Sequence, residues 1–232
     1  MPIWISVSYC LLACLYIWIA GSVEIAVGAV MKILPLLLLL GWFCTSKFDQ
    51  PLANAGESET AKHQVKSAGT VIIALGFSML GDVILAVDGK NWFVFGLGAF
   101  LLSHIAYIVA LRPFQRLPAA KLVLLLACYA GFAAVVLGLM AANLGSMLLP
   151  VSVYIAVILL MSLSTWHSKG SNPWLVVGGL LFICSDAAIG LNRFYTAIPF
   201  SGVFIMLTYY AAQYSLLRGF KLMRRPMTAR FA

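Results

Sequence analysis

Four ionisable side chains, Lys32, Asp82, His104 and Asp186, lie inside long apolar stretches of this 232-residue sequence. An ionisable group at the centre of a bilayer costs about 2.5–3.5 kcal/mol on insertion scales, and such residues commonly mark functional sites. Two carboxylates in different environments can hold different protonation states and so act as an acid and a base. The alternative is a buried ion triad of the lysine and the two acids that only fixes how the helices pack.

The composition is that of an integral membrane protein. Hydrophobic residues make up 63% of the chain and charged residues 9%, against about 45–50% and 25% in soluble domains. A bilayer span needs about 20 apolar residues, and on that basis the sequence predicts an all-α polytopic protein, with residues 1–232 forming one domain of eight transmembrane helices. The predicted spans are residues 3–20, 25–44, 67–87, 91–111, 119–142, 146–166, 173–191 and 198–219.

The positions of lysine and arginine predict the orientation, because short cytoplasmic loops are enriched in them. With eight spans, twelve basic residues fall on the side of the termini, and only Lys90 and Arg193 fall on the other. We therefore expect cytoplasmic termini in a bacterial inner membrane, a cytoplasmic loop at about 45–66 and a basic tail at 220–232. The net charge of +8 indicates contact with anionic lipid head groups rather than with nucleic acid.

This topology gives each ionisable residue a depth. Lys32 is predicted about 12 Å from the exoplasmic face, and Asp82 and Asp186 about 8 Å from it, from the helical rise. The three charges should therefore meet in one layer and partly neutralise one another. His104 is predicted deeper, about 20 Å down by the same rise, either as a hydrogen-bonded packing residue or as a pocket wall.

The two acids also share a local pattern. "FSMLGDVIL" at 77–85 and "FICSDAAI" at 182–189 each place a small residue before an aspartate near the end of an apolar span. Each is followed by a short loop and another span. This similarity predicts a four-plus-four repeat with both halves in the same orientation.

A metal site is not expected from the sequence. A zinc hydrolase needs about three converging nitrogen, sulfur or oxygen ligands, whereas the chain has only three histidines, of which His63 and His167 lie in predicted loops. A G-x-S-x-G nucleophile motif does not occur either.

Five short motifs, in order along almost the whole chain, resemble those of the YhhN-like lysoplasmalogenase family. They are Lys32 with Pro35, "SMLGD" at 78–82, "FGLGAFLLSHIAY" at 95–107, "FICSD" at 182–186 and "TYYAAQ" at 208–213. The resemblance implies hydrolysis of the vinyl ether bond of lysoplasmalogens to a fatty aldehyde and glycerophosphoethanolamine or glycerophosphocholine. The implied partners are a lysophospholipid substrate and membrane lipids, and no cofactor is implied.

The positions that match the family define a candidate site. The resemblance implies catalytic roles for Asp82, Asp186 and Lys32, and substrate-binding roles for His104, Tyr107, Tyr209 and Gln213.

Vinyl ether hydrolysis fits two carboxylates, because it needs an acid to protonate carbon and a negative group to stabilise the oxocarbenium ion. Two neighbouring carboxylates do not easily ionise together, so one should keep its proton. We expect Asp82 to be the acid and Asp186 to be the stabilising base, although the sequence allows the reverse. Lys32 would hold the ionised carboxylate or approach the lipid phosphate.

Two other functions share these features. Intramembrane charges and an internal repeat also occur in transporters, but here the acids cluster toward one face of the membrane, and the spans that carry them are not expected to be broken by glycine or proline as discontinuous transport helices often are. A lipid-binding or structural bundle would need the charges only for packing.

Overall fold

The structure, a computed structural model, describes residues 1–45 and 59–223 of the chain. In these residues the regular structure is helical, as predicted, with one short 3₁₀ turn before the sixth α-helix and no strand. The α-helices are α1 Ile3–Ile19, α2 Ile25–Thr45, α3 Glu59–Asp88, α4 Phe93–Ala110, α5 Ala119–Leu144, α6 Leu148–His167, α7 Pro173–Phe194 and α8 Ser201–Met223.

Five apolar helical segments of the described residues are long enough to cross a bilayer. They are Ile25–Thr45, Ser67–Asp88, Phe93–Ala110, Ala119–His167 and Pro173–Phe194. In lipid a helix satisfies its own backbone polar groups, which explains why such segments fold this way. The membrane-spanning helical architecture is confirmed at this level, and the count of eight spans stays a prediction.

The longest of these segments contains two helices, α5 and α6. Gly145 separates them with a positive φ of 49°, a conformation that glycine adopts at little cost. The Lys121 Nζ lies 4.9 Å from the centre of the Trp166 ring, so the start of α5 is beside the end of α6. The chain therefore reverses its direction at this glycine.

Six of the eight described α-helices form a closed ring. Following the contacts around it, α2 packs against α3, α3 against α4, α4 against α6, α6 against α7, α7 against α8, and α8 against α2. The other two helices lie outside the ring, α1 against α2 and α8, and α5 against α6 and α7. Polar side chains of the spans can therefore be shielded from lipid by facing the ring interior.

Local signals position the helices that carry the candidate site. The side chain of Asn172 caps α7 by accepting a hydrogen bond from the Leu175 amide (3.3 Å), and Pro173 follows at the first helical position, which favours a helix start.

In α2, Pro35 lies within the helix and lacks an amide hydrogen. One turn before it, the carbonyl of Lys32 accepts a hydrogen bond from the Tyr210 hydroxyl (2.7 Å).

The predicted loop at about 45–66 is shorter than expected, because α3 already begins at Glu59. Residues 46–58 of that loop, and residues 224–232 of the predicted basic tail, lie outside the described residues. Residues 59–66 contain glutamate, alanine, lysine and glutamine, which favour helix. The polar character of the segment predicted that it leaves the membrane, but not that it stays helical.

Candidate active site

Asp82 forms the centre of the first of two polar clusters inside the ring. Its carboxylate is 2% exposed, and Oδ1 lies 3.0 Å from the Nζ of Lys32 on α2. The Tyr209 hydroxyl on α8 donates a hydrogen bond to the other oxygen, Oδ2, at 2.6 Å. A full positive charge and a phenol donor thus both stabilise the ionised form of this carboxylate.

Asp186 forms the centre of the second cluster. Its partners are a tyrosine and a histidine, whereas Asp82 has a lysine. The Tyr154 hydroxyl on α6 donates a short hydrogen bond to Oδ2. The Nε2 of His104 on α4 lies 3.4 Å from the same oxygen and 3.1 Å from the Tyr154 hydroxyl. His104 is fully buried, and among the described residues its Nδ1 has no hydrogen-bond partner.

A polar pocket joins the two clusters. Its volume, counted to its open mouth, is about 250 Å³, and Lys32, Asp82, Tyr209 and Asp186 all line it. The remaining lining comes from Leu85, Phe100, Ser185, Ile189, Ile205 and Met206. The prediction that the lysine and the two acids share one layer of the membrane domain is consistent with this convergence.

A larger apolar cavity begins at the same place. It has a volume of about 630 Å³, counted to its open mouth, and is lined by side chains of α3, α4, α5, α6 and α7. Four residues line both this cavity and the polar pocket, namely Asp186, Leu85, Phe100 and Ile189. Asp186 therefore lies at the junction between the polar pocket and the apolar cavity.

The family is decided by a match over most of the chain. The model of the YhhN family matches residues 27–220, which contain both clusters and helices α3 to α7 completely. The chain belongs to the YhhN family. This confirms the resemblance inferred from the five motifs, and it agrees with the apolar helices in making the chain an integral membrane protein.

Relatives of this YhhN-family chain carry one enzymatic name. A protein of Mycobacterium bovis named lysoplasmalogenase is 32% identical over 163 residues, 65% of this chain and 59% of its own length. Bovine lysoplasmalogenase TMEM86A is 31% identical over 217 residues, covering 86% of this chain and 81% of its own. Human lysoplasmalogenase TMEM86B is 28% identical over 212 residues, covering 90% and 83%. No solved structure matches the chain significantly.

The match with the mycobacterial relative thus spans less than two thirds of that protein's length. The matches with the two mammalian relatives extend over more than four fifths of each partner.

Two residues that were predicted to bind substrate, Tyr107 and Gln213, lie apart from both the polar pocket and the apolar cavity of this YhhN-family chain. The Tyr107 hydroxyl donates to Gln213 Oε1 at 2.7 Å, and Gln213 Nε2 donates to Ser78 Oγ at 3.0 Å. Ser78 in turn shares a hydrogen bond with Ser103 at 2.8 Å. These four fully buried residues tie together α3, α4 and α8 one turn from Asp82, and they line neither the pocket nor the cavity.

His104 is closer to the acids than the sequence predicted. The expected depth of about 20 Å, from the helical rise, placed it below both carboxylates, yet its Nε2 lies 3.4 Å from Asp186. The difference arises because α4 starts at Phe93, two residues after the predicted start of its span. In addition, α7 continues to Phe194, three residues after the predicted end of its span. Both shifts bring the two side chains to a similar depth.

Tyr154 is the site residue that sequence reasoning missed. Its hydroxyl contacts Asp186 and its ring lines the apolar cavity. The available signal was its position well inside an apolar span rather than at a span end, where tyrosine belongs to the interfacial belt.

Proposed function

We propose that this protein hydrolyses the vinyl ether bond of lysoplasmalogens, releasing a fatty aldehyde and glycerophosphoethanolamine or glycerophosphocholine. The observation that carries the proposal is the position of Asp186, which lines both the polar pocket and the apolar cavity. A lysoplasmalogen has the same division, with its vinyl ether between a polar glycerol and a hydrocarbon chain. The names of the relatives in bacteria and mammals support the same activity.

Asp82 acts as the ionised carboxylate in this scheme. Its ion pair with Lys32 at 3.0 Å and the hydrogen bond from Tyr209 at 2.6 Å both favour the negative form. Lys32 therefore holds the carboxylate, which was one of the two roles expected for it. The ionised group faces the polar pocket, where the oxocarbenium ion and the attacking water would lie.

Asp186 acts as the general acid. Lys32 is already paired with Asp82, and a second ionised acid would be an uncompensated charge inside the membrane domain, which is costly. The protonated form of Asp186 avoids that charge. Because Tyr154 and His104 both contact Oδ2, Oδ1 is left to carry the proton toward the substrate.

This assignment reverses the roles first expected for the two acids. The proton must reach the outer alkenyl carbon, which lies on the hydrocarbon side of the ether. Asp186 is the acid that lines the apolar cavity, whereas Asp82 lines only the polar pocket. Tyr154, and His104 with its proton on Nε2, donate to Asp186 Oδ2 and stabilise the carboxylate that forms when the proton leaves.

The reaction then proceeds with a balanced set of protons. Asp186 gives its proton to the outer alkenyl carbon, and the carbon next to the ether oxygen becomes an oxocarbenium ion that Asp82 stabilises. Water adds to that carbon while Asp82 takes one of its protons, which forms a hemiacetal. The hemiacetal collapses as its hydroxyl proton passes to Asp186 and the Asp82 proton passes to the leaving glycerol oxygen. Both acids return to their starting states.

The remaining predicted residues support these groups. Tyr209 and His104 position Asp82 and Asp186, and the buried Tyr107–Gln213 pair holds α4 and α8 together beside the pocket. We also propose the topology expected from the basic residues, with cytoplasmic termini in a bacterial inner membrane and the substrate head group toward the exoplasmic side.

The alternatives of a transporter or a lipid-binding bundle are not favoured. The named relatives carry an enzymatic name, and the two acids have the different environments that acid–base catalysis needs.

The decisive experiment measures aldehyde release from a lysoplasmalogen by the purified protein in detergent. We expect Asp82→Asn and Asp186→Asn each to lose at least about a hundredfold in kcat, the scale of general acid–base catalysis. Asp88→Asn is the matched control, since Asp88 is a partly exposed acid at the end of the same helix as Asp82, lines neither the pocket nor the cavity, and contacts the turn at Asn91. Absence of aldehyde with the wild-type protein would refute the activity, and full rates in both site variants would refute the site.

Deuterium labelling tests the proposed chemistry separately. In heavy water, protonation of the alkenyl carbon places one deuterium on the carbon next to the aldehyde group. Product aldehyde incubated with the protein in heavy water controls for later exchange. Aldehyde that forms without this label would contradict protonation at carbon.

A further inference from the structure

The apolar cavity extends well beyond the acid that opens into it. Its lining on α7 extends from Ile183 to Phe194, and the part beyond Asp186 covers eight residues, or about 12 Å of helix by its rise per residue. At the far end it reaches Phe93, at the start of α4, and Val151, near the start of α6. The cavity therefore runs from Asp186 toward the end of the bundle where α4 and α6 begin.

We propose that this cavity binds the alkenyl chain of the substrate and that its α5 wall, above all Val136 and Met140, determines which chain lengths are accepted. The inference rests on the proposed function, because it takes Asp186 as the group that meets the vinyl ether. It adds the binding site of the hydrocarbon and the residues that set specificity.

The chemistry of the wall selects a hydrocarbon occupant. Apart from Asp186 and Tyr154, which contact each other, every lining residue is apolar. A polar ligand would leave hydrogen-bonding groups unpaired in such a cavity, at a substantial cost. A hydrocarbon chain would gain contacts along its whole length without that cost.

Continuity with the polar pocket distinguishes the substrate chain from an unrelated membrane lipid. Asp186, Leu85, Phe100 and Ile189 line both chambers, so one molecule can extend from one into the other. The reacting bond of a single-chain vinyl ether lipid would then lie beside Asp186, with its glycerol near Lys32 and Asp82.

Helix α5 is suited to set the length of the chain. It lies outside the ring of six helices and closes the cavity with Phe132, Val136 and Met140. Val136 is 5% exposed and Met140 1% exposed. One turn beyond Asp186, a Cβ at Gly190 would come 3.0 Å from the Met140 sulfur, so the glycine leaves room between α5 and α7.

The test is hydrolysis of a series of lysoplasmalogens that differ only in the length of the alkenyl chain. Val136→Phe narrows the cavity, and we expect kcat/KM for long chains to fall about tenfold or more relative to short chains, since single methylenes in a pocket have effects of this order. Val136→Ala widens it and should shift the preference toward longer chains. Val135→Phe is the matched control, because the adjacent Val135 is 62% exposed on the outer face of α5.

The inference is overturned if Val136→Phe and Val136→Ala both keep the wild-type chain-length profile while hydrolysis proceeds. The opposite shifts of the two variants guard against a loss that comes only from misfolding, since a misfolded protein loses all chain lengths together. A shift of the same size in Val135→Phe would also overturn it.

A binding measurement separates this inference from the proposed activity. Saturated 1-O-alkyl glycerophosphoethanolamines lack the vinyl group, so they bind without being hydrolysed, and a bound ligand raises the melting temperature. We expect the rise to depend on chain length in the wild type and to shrink for long chains in Val136→Phe. That result without any aldehyde release would leave the cavity assignment standing and refute the activity. No chain-length dependence in the wild type would refute the cavity assignment.

Discussion

Asp82 and Asp186 are held by corresponding sets of neighbours. Asp82 on α3 contacts Lys32 on the preceding α2 and Tyr209 on α8, while Asp186 on α7 contacts Tyr154 on the preceding α6 and His104 on α4. Each acid thus contacts one residue of the helix before its own and one residue of a more distant helix, but the residue types differ at both places, since a lysine and a tyrosine hold Asp82 whereas a tyrosine and a histidine hold Asp186. The four-plus-four repeat itself stays a prediction.

The ion pair of Lys32 and Asp82 predicts how stability responds to substitution. Lys32→Met leaves Asp82 as a buried unpaired charge, which costs about 3–5 kcal/mol. In the double variant Lys32→Met/Asp82→Asn both charges are gone, so most of the lost stability should return while hydrolysis stays absent. Thermal unfolding in detergent measures the stability of each variant.

Lys90→Met is the control for that series, because Lys90 is exposed in the turn after α3 and its removal should leave the melting temperature unchanged. A double variant that melts below Lys32→Met would show that the two charges do not compensate each other.

The hydrogen bond from Tyr154 to Asp186 predicts a catalytic effect of one hydroxyl group. Tyr154→Phe removes a donor that stabilises the carboxylate formed during protonation, and a hydrogen bond to a charged group is worth about 1.5–3 kcal/mol. At 1.36 kcal/mol for each factor of ten, kcat should fall about tenfold to a hundredfold, with a much smaller change in KM. Steady-state kinetics with one lysoplasmalogen measures both constants.

Tyr129→Phe is a suitable comparison, since the Tyr129 hydroxyl bonds to Ser162 between α5 and α6 and lines neither chamber. Equal kcat values for these two variants and the wild type would remove Tyr154 from the proposed site.

Close packing of α7 on α8 predicts a stability effect at Gly178. A Cβ there would come 2.9 Å from the backbone nitrogen of Leu216, and backbone cannot move aside as a side chain can. Gly178→Ala should destabilise the protein by about 1–3 kcal/mol, the usual cost of overpacking. Gly98→Ala, in α4 with open space around its Cβ position, should be neutral or slightly stabilising.

Melting temperatures of the two alanine variants provide the comparison. Equal melting temperatures for Gly178→Ala and Gly98→Ala would contradict the prediction, because they would mean that α7 and α8 leave room for a Cβ atom at Gly178.

The sequence predicted the helices well because long apolar stretches favour helices of about the length of a bilayer span. Of the eight α-helices in the part of the chain that the structure describes, seven start within three residues of the predicted span, and α3 starts much earlier, at Glu59. Hydropathy measures how apolar a segment is. It carries no information on whether the helix continues beyond the apolar segment into water.

The candidate site was predicted in part, for a related reason. Lys32, Asp82 and Asp186 are expensive in lipid and therefore stand out in the sequence, and all three line one pocket. Ser78 does not stand out, because a serine hydroxyl inside a span can bond to its own helix backbone, and Tyr154 does not stand out, because tyrosine is common in membrane helices near their ends. Their contacts depend on which helices become neighbours, which the apolar pattern does not encode.

The pairing of each acid with a helix that comes earlier in the chain bears on how the protein enters the membrane. The chain is synthesised from its N-terminus, so Lys32 on α2 is made before α3 brings in Asp82, and Tyr154 and His104 are made before α7 brings in Asp186. At least one polar partner of each carboxylate is therefore already synthesised when the helix that carries the acid follows.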